Sequence, residues 1–365
     1  MRQSTLKKWR RWHLDPILLG TLILLTFFGL FVLYSAANQS LSIIFRQCLH
    51  LVAAFIVMFI CARIPPSRYQ EWAPWFYLVT VFLLLLVLVV GQVDMGARRW
   101  LHLGFFDLQP SELMKIGMPL MLAYYFHDKA LPPNLKTLAV GFIILLIPVL
   151  LVAKEPDLGT AIMIATSGLL VLFLAGMGWR LILSFAVLAA AFAPVLWHFM
   201  HTYQKERVLT FLNPERDPLG SGYHIIQSKI AIGSGGFFGK GWLQGTQSHL
   251  HFLPAHTTDF IFAVNGEELG LLGCLFLILL FLGILARCLF VSAQAHDTFT
   301  RLLAGSLSFT FIISAFINIG MVTGILPVVG IPLPLISYGG SYIVTLMAGF
   351  GIIMSIYTHK KLWTT

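Results

Sequence analysis

The stretch HFLPAHTTDFIFAVNGEELG, His251 to Gly270, sets Asp259, Glu267 and Glu268 at the entrance to an apolar run. A carboxylate inside a bilayer costs on the order of 3 kcal/mol. Acids placed here therefore mark either a site or a helix start close to water. Asp259 follows a loop and opens the run. It can cap the helix by accepting from the first N–H groups, or act as a general base where an aqueous site meets the membrane. The two roles are compatible, although a strongly capped carboxylate is a weaker base. Glu267 and Glu268 lie roughly 12 Å deeper on a helix, and at about 100° per residue Glu268 faces away from Asp259. The three acids do not share a face. That argues against a carboxylate pair for glycoside hydrolysis and for an interior ion pair made by at least one glutamate.

Further polar clusters interrupt the apolar background. In QPSELMK, Gln109 to Lys115, Pro110-Ser111-Glu112 reads as a helix start with an acid in its first turn. Glu112 and Lys115 stand at i, i+3 and can pair on the helix, as structural glue or as part of a polar cavity. KEPDLGT, Lys154 to Thr160, is a tight turn in which Asp157 can cap the next helix. In NIGMVTGILPVVGIPLPLISYGGS, Asn318 to Ser341, Pro327, Pro332 and Pro334 with Gly324 and Gly330 forbid a regular helix. Irregular backbone at membrane depth survives only when buried in protein or lining a wet cavity. His249, His251 and His256 lack a standard zinc spacing, and no metal site is expected there. Cys48, Cys61, Cys274 and Cys288 lie in or beside apolar runs and read as small packing residues, without a disulfide framework.

The elements that position these residues follow from composition. Of 365 residues 58% are hydrophobic and 11% charged, and mean hydropathy is +0.85. Soluble domains carry roughly 25% charged residues, so the fold class is an all-α polytopic membrane protein. A span needs about 20 apolar residues. Ten candidates stand at about 16–37, 43–62, 72–91, 111–127, 137–153, 158–176, 180–200, 259–286, 301–324 and 335–357. The first is longer than the roughly 7–15 apolar residues of a secretory signal and is expected to remain as a span. An even number puts both termini on one side. Arg63, Arg68, Lys129, Lys136, Arg180, Arg287, Arg301, Lys360 and Lys361 fall on that side, which the positive-inside rule makes cytoplasmic. This accounts for the net charge of +9 without nucleic acid. Arg98 and Arg99 are exceptions in a short outer loop, as an anionic partner or plain solvation would explain. Residues 201–258 form one long outer loop with aromatics and short apolar stretches, suited to helices lying at the membrane surface. Residues 1–365 are expected to form a single membrane domain. Nothing reads as a nucleotide-binding loop or an internal repeat.

With these residues in view, the chain resembles the SEDS family (shape, elongation, division and sporulation) of polytopic membrane glycosyltransferases, and its elongation members above its division members. The resemblance runs almost end to end. It rests on RWHLDP, GARRWLHLG, LQPSELMK, EPDLGT, NPERDPLGSGYHIIQSKIAIGSGG, TTDFIFA, GEELG and GILPVVGIPLPLISYGGS in family order. It implies polymerisation of lipid II, a lipid-linked disaccharide-pentapeptide, on the outer face of the bacterial cytoplasmic membrane, beside a class B penicillin-binding protein. The family's essential acid falls on Asp259, with the role of general base toward the acceptor sugar's 4-hydroxyl. Glu112 and Lys115 match a polar pair of the family's fourth span. A diphosphate leaving group calls for cations. Physical inference nominates Arg99, Lys115, Arg207 and Lys229 for that task, and Asp157 joins the candidate substrate-binding residues. No motif requires a cofactor; a divalent cation, Mg or Mn, is the candidate the leaving group allows. Two departures stand out: His256 sits one position before its place in most relatives, and Asn265 replaces an apolar residue. On bulk features alone, a flippase or transporter of the lipid-linked precursor is the alternative function, and a non-catalytic scaffold is a third.

Overall fold

The computed structural model describes residues 13–94, 97–102, 107–199, 202–214, 221–250, 252–253 and 255–359. The basic residues at 7–11 and 360–361, and His251, lie outside them. Helices occupy all ten expected spans. They are α1 (Pro16–Ala36), α2 (Leu41–Arg63), α3 (Pro66–Val90), α4 (Pro110–Phe126), α5 (Leu135–Lys154), α6 (Leu158–Leu174), α7 (Trp179–Phe199), α11 (Ile261–Ala293), α12 (Thr298–Val322) and α13 (Ser341–Thr358). Among the described residues seven of these are long and apolar enough to cross a membrane unaided, while α4 and α6 reach 17 residues each. Between α7 and α11 the expected long loop carries α8 (Thr202–Leu212), α9 (Ser221–Gly235) and α10 (Thr246–His249).

Burial orders the bundle. In α12 67% of the most apolar window is buried and in α13 61%, against 22% in α2 and 28% in α3. The centre is thus built on α12 and α13, and the outer helices turn Leu, Phe and Val side chains away from the protein. Such a surface has to be covered by lipid. α2 packs along α13, α3 along α4, and α11 against both α12 and α1. One charged lock closes the end remote from Asp259. The Asp15 carboxylate caps α1 through Ile17 N–H and takes the Arg287 guanidinium at 2.7 Å. That guanidinium also lies over the rings of Phe290 and Tyr357.

Two features differ from the expectation of uninterrupted helices. The segment joining α3 to α4 holds short antiparallel strands, β1 (Gln92–Asp94), β2 (Ala97–His102) and β3 (Asp107–Leu108), in the order β1-β2-β3. The eighth span is also broken. It starts at Ile261 rather than at 259, runs 33 residues, and carries a left-handed residue, Gly270, at φ 64°. A Cβ at Gly270 would stand 2.3 Å from Gly239 N, so backbone from the long loop fills the break. Lys240 N–H and Gly241 N–H donate to the Glu267 and Glu268 carbonyls at 3.0 Å, and Leu271 N–H donates to Gly236 O at 3.0 Å. A break at this depth strands backbone groups, and a second segment must satisfy them. The Gly-rich 236–241 loop does so.

Candidate active site

Asp259 sits in the tight turn before α11. The helix N-cap is Phe260, and no side chain caps it. Asp259 is therefore not the cap. Its carboxylate is left for other work while its backbone is held firmly. Three successive carbonyls are gripped, two by the 331–339 loop and the third by Asn318 of α12. Thr257 O accepts from Tyr338 N–H at 2.9 Å, Thr258 O from Ser337 Oγ at 2.6 Å, and Asp259 O from Asn318 Nδ2 at 2.9 Å. Asn318 also donates to Ile331 O at 2.7 Å, and Ser337 Oγ accepts from Leu333 N–H at 2.8 Å. Gln47 of α2 holds the same loop from behind, donating to Ser337 O at 3.3 Å and accepting from Gly339 N–H at 3.2 Å. The proline-rich loop thus acts as a vice on the turn that carries the acid.

The Asp259 side chain lines a cavity of about 230 Å³ with Arg207 and Thr210 of α8, His224 and Ile225 of α9, and Phe260 and Val328. Burial pushes the Asp259 carboxyl above the ordinary aspartate range, and the Arg207 guanidinium pulls it back part of the way. A base whose pKa moves toward ambient pH accepts a proton more readily. Burial holds His224 below the usual imidazole range, so it is neutral at pH 7. Its ring stacks on Phe260, with centroids 5.8 Å apart. The sequence reading nominated Asp259 and Arg207 but missed His224 and Thr210. These two lie in a polar loop with no spacing that singles them out.

The other nominated residues are placed elsewhere. Arg99 and Asp157 meet at 3.7 Å, Gln109 Nε2 donates to Asp157 at 3.2 Å, and Asp157 caps α6 through Thr160 N–H at 3.1 Å. Glu155 is buried in the same turn, and among the described residues neither of its side-chain oxygens has a hydrogen-bond partner. Burial, helped by Asp157 and opposed by Arg99, lifts its carboxyl to about 8. The start of α6 packs on the loop next to Val328, which lines the Asp259 cavity: a Cβ at Gly159 would meet Val329 O at 2.6 Å. Glu112 and Lys115 form a buried ion pair of 2.6 Å, with the Lys115 ammonium over the Tyr342 ring at 4.6 Å. They line a separate small cavity between α4, α12 and α13. Lys229 is exposed and lies against Gly324, one turn along α9 from Ile225.

The remaining acids of the opening stretch are structural. Glu267 is fully buried and pairs with Lys240 at 2.7 Å, while Glu268 accepts from Ser35 Oγ at 2.5 Å. Asn265 donates to Cys274 Sγ at 3.6 Å, and His256 Nδ1 meets Leu253 O at 2.8 Å. Among the described residues no group of three His, Cys, Asp or Glu side chains is arranged to hold a metal. Among the described residues Asp259 is the one carboxylate lining its cavity, with the His224 imidazole and the Thr210 hydroxyl, and beside the Arg207 guanidinium. That donor set does not fit a resident divalent ion.

Comparisons with known proteins place the chain in a family. The model of the FtsW/RodA/SpoVE family, described as a cell cycle protein, matches residues 15–362. The chain is 52% identical over 355 residues to the peptidoglycan glycosyltransferase MrdB of Escherichia coli K12, covering 97% of this chain and 96% of that one. It is 36% identical over 363 residues to MrdB of Helicobacter pylori, covering 97% and 92%. Among solved structures it superposes on a chain of a peptidoglycan synthase complex that coordinates polymerization and crosslinking, with TM-score 0.83, 32% identity and coverage of 94% and 97%. It also superposes on the rod shape determining protein RodA of Thermus thermophilus, with TM-score 0.72, 28% identity and coverage of 94% and 96%. A family match over nearly the whole length, with relatives 52% and 36% identical, makes this chain a member of the FtsW/RodA/SpoVE family of membrane peptidoglycan glycosyltransferases.

Proposed function

We propose that this chain polymerises lipid II into glycan strands during cell elongation, with Asp259 as general base. It works as a multi-pass protein of the bacterial cytoplasmic membrane, with both termini inside and the Asp259 cavity opening on the outer face. The observation that carries this reading is the Asp259 turn. Its backbone is pinned at three consecutive carbonyls, while its carboxyl, raised by burial, lines a cavity shared with Arg207. Asp259 takes the proton from the acceptor sugar's 4-hydroxyl. The oxygen attacks the donor's anomeric carbon, the bond from that carbon to the diphosphate oxygen breaks, and its electron pair leaves with the diphosphate. Arg207 meets the charge that develops there. Lys229 and the Arg99–Asp157 turn flank this cavity and bind the lipid-linked substrate farther out. Glu112 and Lys115 serve the same substrate from the polar end of the small, largely apolar cavity between α4, α12 and α13. A divalent cation, Mg²⁺ or Mn²⁺, would supply charge neutralisation to the diphosphate; the residues lining the Asp259 cavity do not fit one, so it would come with the substrate. A class B penicillin-binding protein is the partner that crosslinks the product.

A transporter built on inverted repeats places broken helices in corresponding positions of its two halves. Here the break at Gly270 and the irregular 323–340 stretch both fall in the last three spans. The deciding experiment is polymerisation of labelled lipid II by the full chain with its partner, comparing wild type with Asp259→Asn. General-base loss removes about 10²–10⁴-fold in rate. Asparagine keeps the pinned carbonyls, so the thermal melt is expected to stay unchanged. Equal polymer from an equally stable variant refutes the role given to Asp259. No polymer from either, with the partner bound and divalent cations supplied, restores the transporter reading.

A further inference from the structure

The mechanism above uses Asp259 and Arg207 and gives His224 no task, although His224 lines the same cavity. Its ring is held at an interplanar angle of 21° on Phe260, the residue that follows Asp259 and is 2% exposed. The stack fixes the imidazole relative to the turn that carries the base. Nδ1 is buried and has no hydrogen-bond partner among the described residues. A buried polar atom in that state is costly unless something else supplies the partner, and the adjoining cavity is where a partner can enter. Thr210, also largely buried, adds a hydroxyl to the same wall.

We propose that His224 is a substrate-contacting residue: its imidazole hydrogen-bonds the hydroxyl next to the one Asp259 deprotonates, and so orients the acceptor sugar. This rests on the glycosyl-transfer reading given above. The chemistry of the cavity selects the ligand class. A neutral imidazole offers one donor and one acceptor, which suits a hydroxyl that can also do both. It suits a diphosphate poorly, since the permanent charge of Arg207 already serves that anion. A diphosphate leaves as a stabilised anion and needs no proton from an acid. A protonated imidazole would add a second cation near Asp259 and weaken it as a base; the neutral ring does not. The cavity of about 230 Å³ has room for roughly seven or eight waters at about 30 Å³ each, the scale of a single sugar ring.

The test uses the full chain with its crosslinking partner in lipid, and measures kcat and KM for lipid II with wild type, His224→Phe and His224→Gln. Phenylalanine keeps the stack and removes the hydrogen bond. The expected loss in kcat/KM is about tenfold, the measure of one neutral hydrogen bond. Glutamine, which keeps a donor and an acceptor, is expected to stay within about threefold of wild type on the same scale. Lipid II analogues lacking the hydroxyl at C3 or at C6 of the acceptor sugar complete the cycle. One of them is expected to lose the same factor with wild type and nothing further with His224→Phe. If His224→Phe matches wild type, or loses as much as wild type on both analogues, the inference is overturned. It is also overturned if the wild-type pH profile has an acid-side limb that His224→Phe lacks. Should His224→Phe fail to fold, His224→Asn, whose amide falls short, takes its place in the same comparison. Asp259→Asn separates the two readings. A fully active Asp259→Asn sinks the general-base mechanism itself, whereas a dead Asp259→Asn beside a fully active His224→Phe sinks this inference alone.

Discussion

Glu267→Gln is a sharp perturbation because one buried carboxylate holds an entire loop. Glu267 Oε1 takes Lys240 Nζ at 2.7 Å, Thr246 N–H at 2.9 Å, Thr246 Oγ1 at 3.0 Å and Gln247 N–H at 3.2 Å, while Oε2 shares the Gln247 N–H at 3.2 Å. From there the chain of bonds runs to the active site. Leu253 N–H donates to Gln247 O at 3.0 Å, and His256 Nδ1 bonds Leu253 O. Through Thr246, Gln247, Leu253 and His256, Glu267 thus controls the approach to the Asp259 turn. Glutamine has the same size but no charge, and its amide turns donors toward donors on one side. Breaking a buried pair costs about 3–5 kcal/mol. Lys240 is partly exposed, 28% by side chain, so water recovers part of that, and about 2–4 kcal/mol is the working figure. At 1.36 kcal/mol per decade, opening of the 245–256 segment becomes roughly 30- to 1000-fold more frequent. Hydrogen–deuterium exchange on the full chain in lipid nanodiscs reads this directly. Exchange of peptides covering 245–256 is expected to accelerate by that factor, with kcat falling in parallel, while α2 and α13 keep their protection. Unchanged exchange in 245–256 would show that the loop is held by something other than Glu267, and the reasoning fails.

Two further outcomes follow from the charges around the site. The Arg207 guanidinium holds the Asp259 carboxyl down against burial. Arg207→Gln therefore raises it further, and the acid limb of the kcat/KM profile moves to higher pH; no movement, or a downward one, rejects the coupling. Glu155 is lifted to about 8 in the folded chain, so the folded state holds a proton that the unfolded state has released. Stability is then full below about pH 4 and falls as pH rises toward 8, by a few kcal/mol in all. Glu155→Gln, which mimics the protonated form, is expected to flatten that slope in melts taken between pH 5 and 8, and an unchanged slope removes Glu155 as its origin.

Much of the architecture could be read from the chain because bilayer thickness leaves few choices. Runs such as Pro16–Ala36 and Leu135–Lys154 need only length and apolar character to be recognised. The break at Gly270 was not legible. A lone glycine inside an apolar run is ordinary, and the residues that make it a break, Gly236 to Gly241, lie about thirty positions earlier and meet it only in the fold. The strands between α3 and α4 escaped for a different reason: Gln92–Asp94 and Asp107–Leu108 are too short to show a periodicity of two.

The site divides along the same line. Asp259 was legible because a carboxylate at the mouth of an apolar run is expensive. Arg99, Arg207 and Lys229 were nominated by charge alone, and charge carries no topology; Lys115 was also marked by its spacing from Glu112. Arg207 shares the Asp259 cavity, Lys115 is paired with Glu112, and Arg99 is turned toward Asp157 and the Pro156 carbonyl. His224 had no signal, since its meaning comes from Phe260, 36 residues later, and from a cavity shared with α8. What the fold adds to the acid is immobility. The proline-rich loop between α12 and α13 spends its free N–H and hydroxyl groups on Thr257 and Thr258, and Asn318 adds the Asp259 carbonyl. Loop 236–247 satisfies the broken helix just beyond. Irregular backbone at membrane depth has to be paired with something. Here two irregular segments are paired with the two sides of one turn. The general-base role proposed for Asp259 requires its carboxylate to be held to within about half an ångström of its working position, and pairing the backbone restrains the turn without using the carboxylate's own oxygens.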